Sequence, residues 1–182
     1  MADFKDEIRS QIVLKEHHWQ NIYTTNCYAF ALGLDVPGDR HDHHFQLGDF
    51  YCNITGAKYS EVKENYTRLD RLKMDLDALE LEPEEADPEE QTIINITYDE
   101  NGNEIVDYSW LIAYFYSSQR GDYHFLRKAP NGIWWHKQGF DGVPNCHDGI
   151  WFNVIRDITS KPLFFHDKYI KTYRLRLRKE CK

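Results

Sequence analysis

The sequence DYHFLRKAPNGIWWHKQ, residues 122–138, decides the fold because it predicts two strands joined by a tight turn. The flanking stretches YHFLRK and IWWHKQ are rich in aromatic and aliphatic side chains, and the APNG between them carries residues that favour turns. His124 and His136 are an even number of residues apart (136 − 124 = 12). Because side chains alternate along a strand, the hairpin places both imidazoles on neighbouring strands, projecting from the same face.

Further strands are predicted on both sides of this hairpin. Residues 110–117 form an apolar run typical of a buried strand, and the TYRLRLR alternation within 169–178 predicts a strand with one wet face. Two more strands are predicted at 92–98, where the turn sequence ENGN follows closely, and at 150–155. Helices first and strands later indicate an α+β fold in a single domain, residues 1–182, with N-terminal helices packed on an antiparallel sheet.

The helices are predicted in the first half of the chain. Residues 3–19 place apolar side chains at near-helical spacing, and a short helix within 27–33 ends at its glycine. Apolar residues recur at steps of three and four over 60–81, which predicts one amphipathic helix. The segments 35–50 and 82–91 are predicted loops. The second of these contains two prolines and is expected to be solvated and mobile.

Cys27 is the candidate nucleophile of a hydrolase. Thr25 or Asn26 is a suitable N-cap, so Cys27 falls in the first turn of the short helix, where peptide N–H groups favour a thiolate. Cysteine hydrolysis also needs a histidine that accepts the thiol proton and a third group that fixes the histidine tautomer. His124 is the candidate base, and His136 is the candidate orienting group.

This ordered pattern resembles the NlpC/P60 branch of the papain-like cysteine peptidases, which has a helix-start Cys, a strand-opening His, a Gly-containing turn and a second His. The resemblance implies a papain-like fold with Cys27 as nucleophile, His124 as general base and His136 as the polar third residue. It also implies that Tyr23 corresponds to the upstream Tyr that lines such sites. The interval from Cys27 to His124 (124 − 27 = 97) is long for the family, which implies a helical and acidic insertion at 56–91. NCYA stands here in place of a DCSG-like motif.

Other residues complete the predicted site or compete with it. Asn26, Trp134 and Trp135 join Tyr23 as substrate-binding candidates, since one of the two tryptophans shares a strand face with His136 and could form an apolar wall. Asp141 or Asn145 remains an alternative to His136 as the orienting group.

A metal site is a weaker reading of the sequence. The segments 41–44 (HDHH) and 146–148 (CHD) contain possible ligands. Neither has the spacing of a CxxC or HExxH motif, so a wet polar loop is the better interpretation of 41–44 and no metal is predicted. Cys52 and Cys146 are expected to be structural, because neither follows a convincing helix start.

Composition excludes several classes of function. The 182 residues are 41% hydrophobic with a net charge of −8, which argues against a general nucleic-acid binder. Acidic residues concentrate at 75–90 and basic residues at 171–182. The apolar runs are far shorter than the roughly 20 residues of a membrane span. The N-terminus shows charges and no apolar signal region, so we expect a chain that is cytoplasmic as synthesised, or virion-associated or released by other means.

Together these observations predict a cysteine hydrolase that cleaves a peptide or isopeptide bond through a thioester, with no cofactor. The resemblance implies cell-wall peptides as substrates, as for a peptidoglycan endopeptidase, amidase or phage-type lysin. Two alternatives remain open. One is a non-catalytic binding module on the same fold, whose acidic loop and basic C-terminal strand contact partners. The other is an intracellular cysteine protease or toxin with a protein substrate.

Overall fold

The computed structural model describes residues 3–12, 26–34, 45–136 and 168–181. Over these ranges the protein is a mixed α+β structure with an antiparallel sheet, as predicted. The helices are α1 (Phe4–Gln11), α2 (Cys27–Ala31), α3 (Asp49–Thr55), α4 (Tyr59–Asn65) and α5 (Arg68–Ala78). The strands are β1 (Glu84–Glu85), β2 (Ile93–Tyr98), β3 (Glu104–Tyr116), β4 (Tyr123–Lys128), β5 (Trp134–His136) and β6 (Lys168–Cys181). The strand predicted at 150–155 lies outside the described residues.

Strand β3 is the centre of the sheet. The strand order is β1-β6-β3-β4-β5, and β2 also pairs with β3. On one side, β6 accompanies β3 from Glu104 opposite Cys181 to Tyr116 opposite Lys168. On the other side, β2 pairs with the first half of β3 and β4 pairs with the second half. The strands predicted at 92–98, 110–117 and 169–178 are therefore confirmed, and β3 begins earlier than the apolar run suggests.

The hairpin of β4 and β5 is also confirmed. Leu126 lies opposite His136 and Lys128 lies opposite Trp134. The turn closes with a hydrogen bond of 2.7 Å from the Ala129 N–H to the Ile133 carbonyl. Gly132 has φ +85° there, a left-handed conformation that glycine adopts without steric cost. This register fixes which side chains of the two strands share a face.

The single helix predicted at 60–81 is wrong, because the structure has two helices, α4 and α5, in that range. Thr67 begins α5 with a capping box: its side chain accepts from the Asp70 N–H, and the Asp70 carboxylate accepts from the Thr67 N–H. Tyr66, part of the predicted apolar stripe, is extended (φ −127°, ψ 140°) and 48% exposed. The local cap therefore prevails over the apolar periodicity, which also does not predict α3.

The acidic segment 82–91 is mostly an exposed loop, as predicted, and it also makes specific contacts with the sheet. Glu84 and Glu85 form β1 and pair with β6 at the edge of the sheet. Glu90 forms an ion pair with Arg174 of β6, and the Lys128 ammonium donates to the carbonyls of Pro88 (2.8 Å) and Glu90 (2.7 Å). The acidic segment lies beside the basic strand because opposite charges along the two segments pair.

The two faces of the sheet bury different sets of side chains. The first face packs against α1, α2 and α5, and its sheet residues are Trp110, Ile112, Tyr114, Phe125, Tyr173, Leu175 and Leu177. The second face carries a smaller cluster of Leu111, Ala113, Phe115, Leu126 and Trp134. Among the described helices, we find none with the length and apolar character required to cross a bilayer.

Candidate active site

The two histidines of the hairpin lie in direct contact. His124 Nε2 is 2.9 Å from His136 Nδ1, and the ring centroids are 5.0 Å apart at an angle of 82°. Both imidazoles are buried. One ring nitrogen of the pair must donate and the other accept, so each histidine restricts the tautomer of its neighbour. The sequence prediction that the two imidazoles project from one face is confirmed.

Cys27 opens helix α2, as predicted. Asn26 is the N-cap, and its side-chain oxygen accepts from the Ala29 N–H at 2.9 Å. Its amide nitrogen donates to the Phe45 carbonyl at 2.6 Å. Gly33, with φ +80°, follows the helix, and a side chain there would overlap the Arg127 guanidinium of β4. Asn26 and Gly33 thus hold a very short helix at a fixed position against β4.

The Cys27 sulfur meets β4 at the backbone of Phe125, the residue after His124, where a backbone hydrogen bond acts on the thiol. Phe125 packs with Tyr28 of α2 on the first face of the sheet. The pairing of His124 with Phe115, and of His136 with Leu126, directs both imidazoles to the second face. The sulfur and the imidazole pair therefore approach the same stretch of β4 from opposite sides.

Burial controls the ionisation of this thiol. It raises the pKa of Cys27 to about 12, and the nearby Asp122 carboxylate acts in the same direction. Hydrogen bonding from the backbone of Phe125 and Tyr28 partly opposes that rise in the pKa. The sequence expectation that the helix start favours a thiolate is outweighed, since the resting thiol is protonated at neutral pH. Any nucleophilic chemistry at Cys27 requires a base at the moment of attack.

The two tryptophans of β5 lie on opposite faces. Trp134 is two residues from His136 on the second face, and it is almost completely buried there. Trp135 packs with Phe30 and Ala129 on the side of α2. Of the two, Trp134 is therefore the one that shares the face of the imidazole pair.

Several predicted residues fall outside the described ranges. They are Tyr23, the alternative orienting residues Asp141 and Asn145, and the segments 41–44 and 146–148. Within the described part of the chain, no group of three or more His, Cys, Asp or Glu side chains is arranged to hold a metal ion. Cys52 is a free cysteine buried in α3, and burial raises the pKa of its thiol.

Two residues that connect to the site are not predicted from the sequence. Tyr28, next to Cys27, donates a hydrogen bond from its hydroxyl to the Asp75 carboxylate of α5 at 2.8 Å. Asp75 is fully buried, on the same helix face as Leu72 and Leu76. A lone acidic residue among the apolar positions of an amphipathic helix is the signal that could have found it.

The described fold and site define a class: an α+β protein with a buried, capped helix-start cysteine next to a strand that carries one member of a contacting histidine pair. Comparison with known proteins extends this description no further, since no family model, curated protein or solved structure matches the chain.

Proposed function

We propose that the protein is a papain-like cysteine hydrolase that cleaves an amide bond, with Cys27 as nucleophile, His124 as general base and His136 as the group that orients it. The observation that carries the proposal is the 2.9 Å contact between His124 and His136, beside the residue whose backbone meets the Cys27 thiol. A histidine whose second ring nitrogen is engaged by a polar partner is held in one tautomer, which a general base requires.

The proposed reaction is acyl transfer to sulfur. The reaction requires the Cys27 thiol and the His124 ring, which meet β4 from opposite sides in this structure, to come into contact. His124 then accepts the Cys27 proton as the sulfur attacks the amide carbonyl carbon, and the resulting imidazolium protonates the departing amine. Water, deprotonated by His124, attacks the thioester and releases the acid and the free thiol. Because the pKa of Cys27 is raised to about 12, Cys27 and His124 do not form a stable thiolate–imidazolium ion pair before the reaction. The proton moves to His124 as the sulfur attacks. Backbone N–H groups at the start of α2 are the natural donors to the oxyanion.

The substrate we propose is a peptide or isopeptide, with peptidoglycan stem peptides as the first to test, and the reaction needs no cofactor. The buried Trp134 on the imidazole face is the candidate apolar wall for a substrate side chain. Asn26 contributes as the cap that holds the Cys27 helix in place. The residues 1–182 would act as one catalytic domain, with 56–91 as its insertion.

The decisive experiment compares wild type with Cys27→Ala on purified peptidoglycan and on a general peptide library, with released amines measured by mass spectrometry. Cys52→Ala is the control, because Cys52 has the same fractional exposure as Cys27 (8%) and lies in a helix away from β4. We expect hydrolysis in wild type and Cys52→Ala and its loss in Cys27→Ala. Equal rates in all three proteins would reject the proposal.

A non-catalytic binding module is the second candidate, favoured by the burial of the sulfur and its approach to β4 from the side opposite to the imidazoles. Iodoacetamide labelling at pH 7.5 separates the two functions. A catalytic Cys27 should react at least about tenfold faster than Cys52, since base assistance lowers the barrier for only one of the two thiols. In a binding module Cys27, whose pKa is raised to about 12 by burial, would react no faster than Cys52.

A further inference from the structure

The Asp75 carboxylate joins three helices through hydrogen bonds. Its Oδ2 accepts the Tyr28 hydroxyl of α2 at 2.8 Å and the Gly48 N–H at 2.7 Å, and its Oδ1 accepts the Tyr51 N–H of α3 at 2.8 Å. The residue is fully buried. One carboxyl group therefore connects α5 to α2 and to both the start and the body of α3.

A short series of contacts leads from Asp75 to the candidate nucleophile. Tyr28 follows Cys27 directly in α2, and its ring centroid is 5.1 Å from that of Phe125. The backbone of Phe125 is in turn the group that hydrogen-bonds to the Cys27 thiol. The position of Tyr28 thus influences both the helix that carries the sulfur and the strand residue that the sulfur meets.

We propose that Asp75 is a positioning residue for the Cys27 site: through the Tyr28 hydroxyl it fixes where the sulfur meets β4, and its protonation regulates that placement. The inference deepens the proposed function, on which its biological meaning rests. The contacts themselves do not depend on whether Cys27 is catalytic. In an active hydrolase, Asp75 would add a pH-dependent control that does not act through the histidine pair.

The environment of Asp75 explains why it titrates near neutrality. Burial raises the pKa of Asp75 to about 7, the nearby Asp49 adds to the rise, and the three hydrogen-bond donors oppose it. The titratable groups that interact with Asp75 from the surrounding elements are Tyr28, Asp49, Cys52 and Tyr59, and the charged Arg71 interacts with Asp49. Protonation converts a triple acceptor into a group with one O–H donor and weaker acceptor oxygens, so the bond from Tyr28 weakens below about pH 7.

The test follows three carbon resonances in the full-length protein between pH 5 and pH 9: the Asp75 carboxyl carbon and the β-carbons of Cys27 and Cys52. The Asp75 resonance should titrate with a midpoint near 7, and both cysteine resonances should follow with that midpoint. Tyr28→Phe removes only the linking hydroxyl. In this variant the Cys27 response to Asp75 should be lost, whereas Cys52, which interacts electrostatically with Asp75 from α3, should still follow it.

Two features make the result decisive. Other groups can also change the Cys27 resonance over this pH range, so the part of the Cys27 response that Tyr28→Phe removes is the quantity to compare, and Asp75→Asn must remove the same part. Thermal unfolding curves confirm that each variant is folded. A Cys27 response that Tyr28→Phe leaves unchanged would overturn the inference, as would an Asp75 midpoint near its ordinary value. If the Asp75–Cys27 coupling is observed but the wild-type protein does not hydrolyse peptides, the proposed function alone is rejected.

Discussion

At the scale of single residues, the histidine pair is the feature most constrained by chemistry. Two buried imidazoles in contact at 2.9 Å can share only one proton comfortably between the facing nitrogens, because a second would place two like charges side by side. His136 therefore limits both the tautomer and the charge of His124. That constraint is useful to a general base and is costly for a pair that has only a packing role.

We predict that His136→Ala lowers kcat for peptide hydrolysis by about 100-fold or more, because His124 loses the partner that fixes its tautomer. His136→Asn should retain part of the activity, since its amide oxygen can still accept from a ring N–H. Steady-state kinetics of the three proteins on one peptide substrate provide the measurement. An alanine variant with the wild-type kcat would show that His136 has no orienting role.

The site could be predicted from sequence only where spacing and local caps carry the information. The positions of His124 and His136 follow from strand alternation across a turn, and that of Cys27 follows from the Asn26 cap. The raised pKa of Cys27 depends on burial by distant segments, which no local pattern reveals. The burial of Asp75 is indicated by its position among the apolar residues of α5, but its partners come from α2 and α3 and are not predicted by any local pattern.

At the scale of elements, the acidic segment and β6 form one paired unit. Arg174 is buried and donates to Ser109 Oγ (2.7 Å), the Gln91 carbonyl (3.2 Å) and Glu90. Arg176, two residues on, lies on the same face of the strand but is exposed, and it forms an ion pair with Glu84. Composition alone suggested a solvated loop here, since the local sequence contains no information about the strand that binds it.

Arg174→Met should destabilise the protein by roughly 2–3 kcal/mol, because methionine preserves much of the buried stem and leaves three acceptors without their charged donor. Arg176→Met is the matched control. Its side chain is 53% exposed, against 8% for Arg174, and its ion pair with Glu84 should contribute less than about 1 kcal/mol. Urea unfolding gives both values, and limited proteolysis should cleave residues 82–91 faster only in Arg174→Met. Similar losses in the two variants would contradict this account.

Element boundaries show where sequence patterns compete. The apolar positions of 60–81 fit one helix. Thr67 and Asp70 nevertheless form a capping box that satisfies the first N–H groups of a new helix, and Tyr66 is extended and ends the preceding one. The pattern therefore located the buried face and missed the break. The strands around β3 were easier to predict, because an uninterrupted apolar run on a two-sided sheet leaves few alternatives.

At the scale of the whole molecule, the helical layer and the sheet share one apolar core, and Asp75 is a buried acid within it. Its folded-state pKa of about 7 exceeds its ordinary value of 3.8, so the native state holds a proton that the unfolded chain releases between these pH values. The stability contributed by this group is fully present below pH 3.8 and is lost as pH rises through about 7.

We therefore expect the free energy of unfolding of wild type, relative to Asp75→Asn, to fall as pH rises from 4 to 7.5 and then to level off. The shift of about three pKa units sets a limit on the order of 4 kcal/mol for the change.

Asp70→Asn is a control of opposite sign. The Thr67 cap lowers the pKa of Asp70, so stability from that exposed group is present above its ordinary pKa and is lost only as pH falls further. Urea unfolding of the three proteins at half-unit pH steps, extended below the ordinary pKa of Asp70, measures both slopes. Parallel wild-type and Asp75→Asn curves would mean that Asp75 titrates normally in the folded protein, and the core would then contain a permanently charged carboxylate supported by its three donors alone.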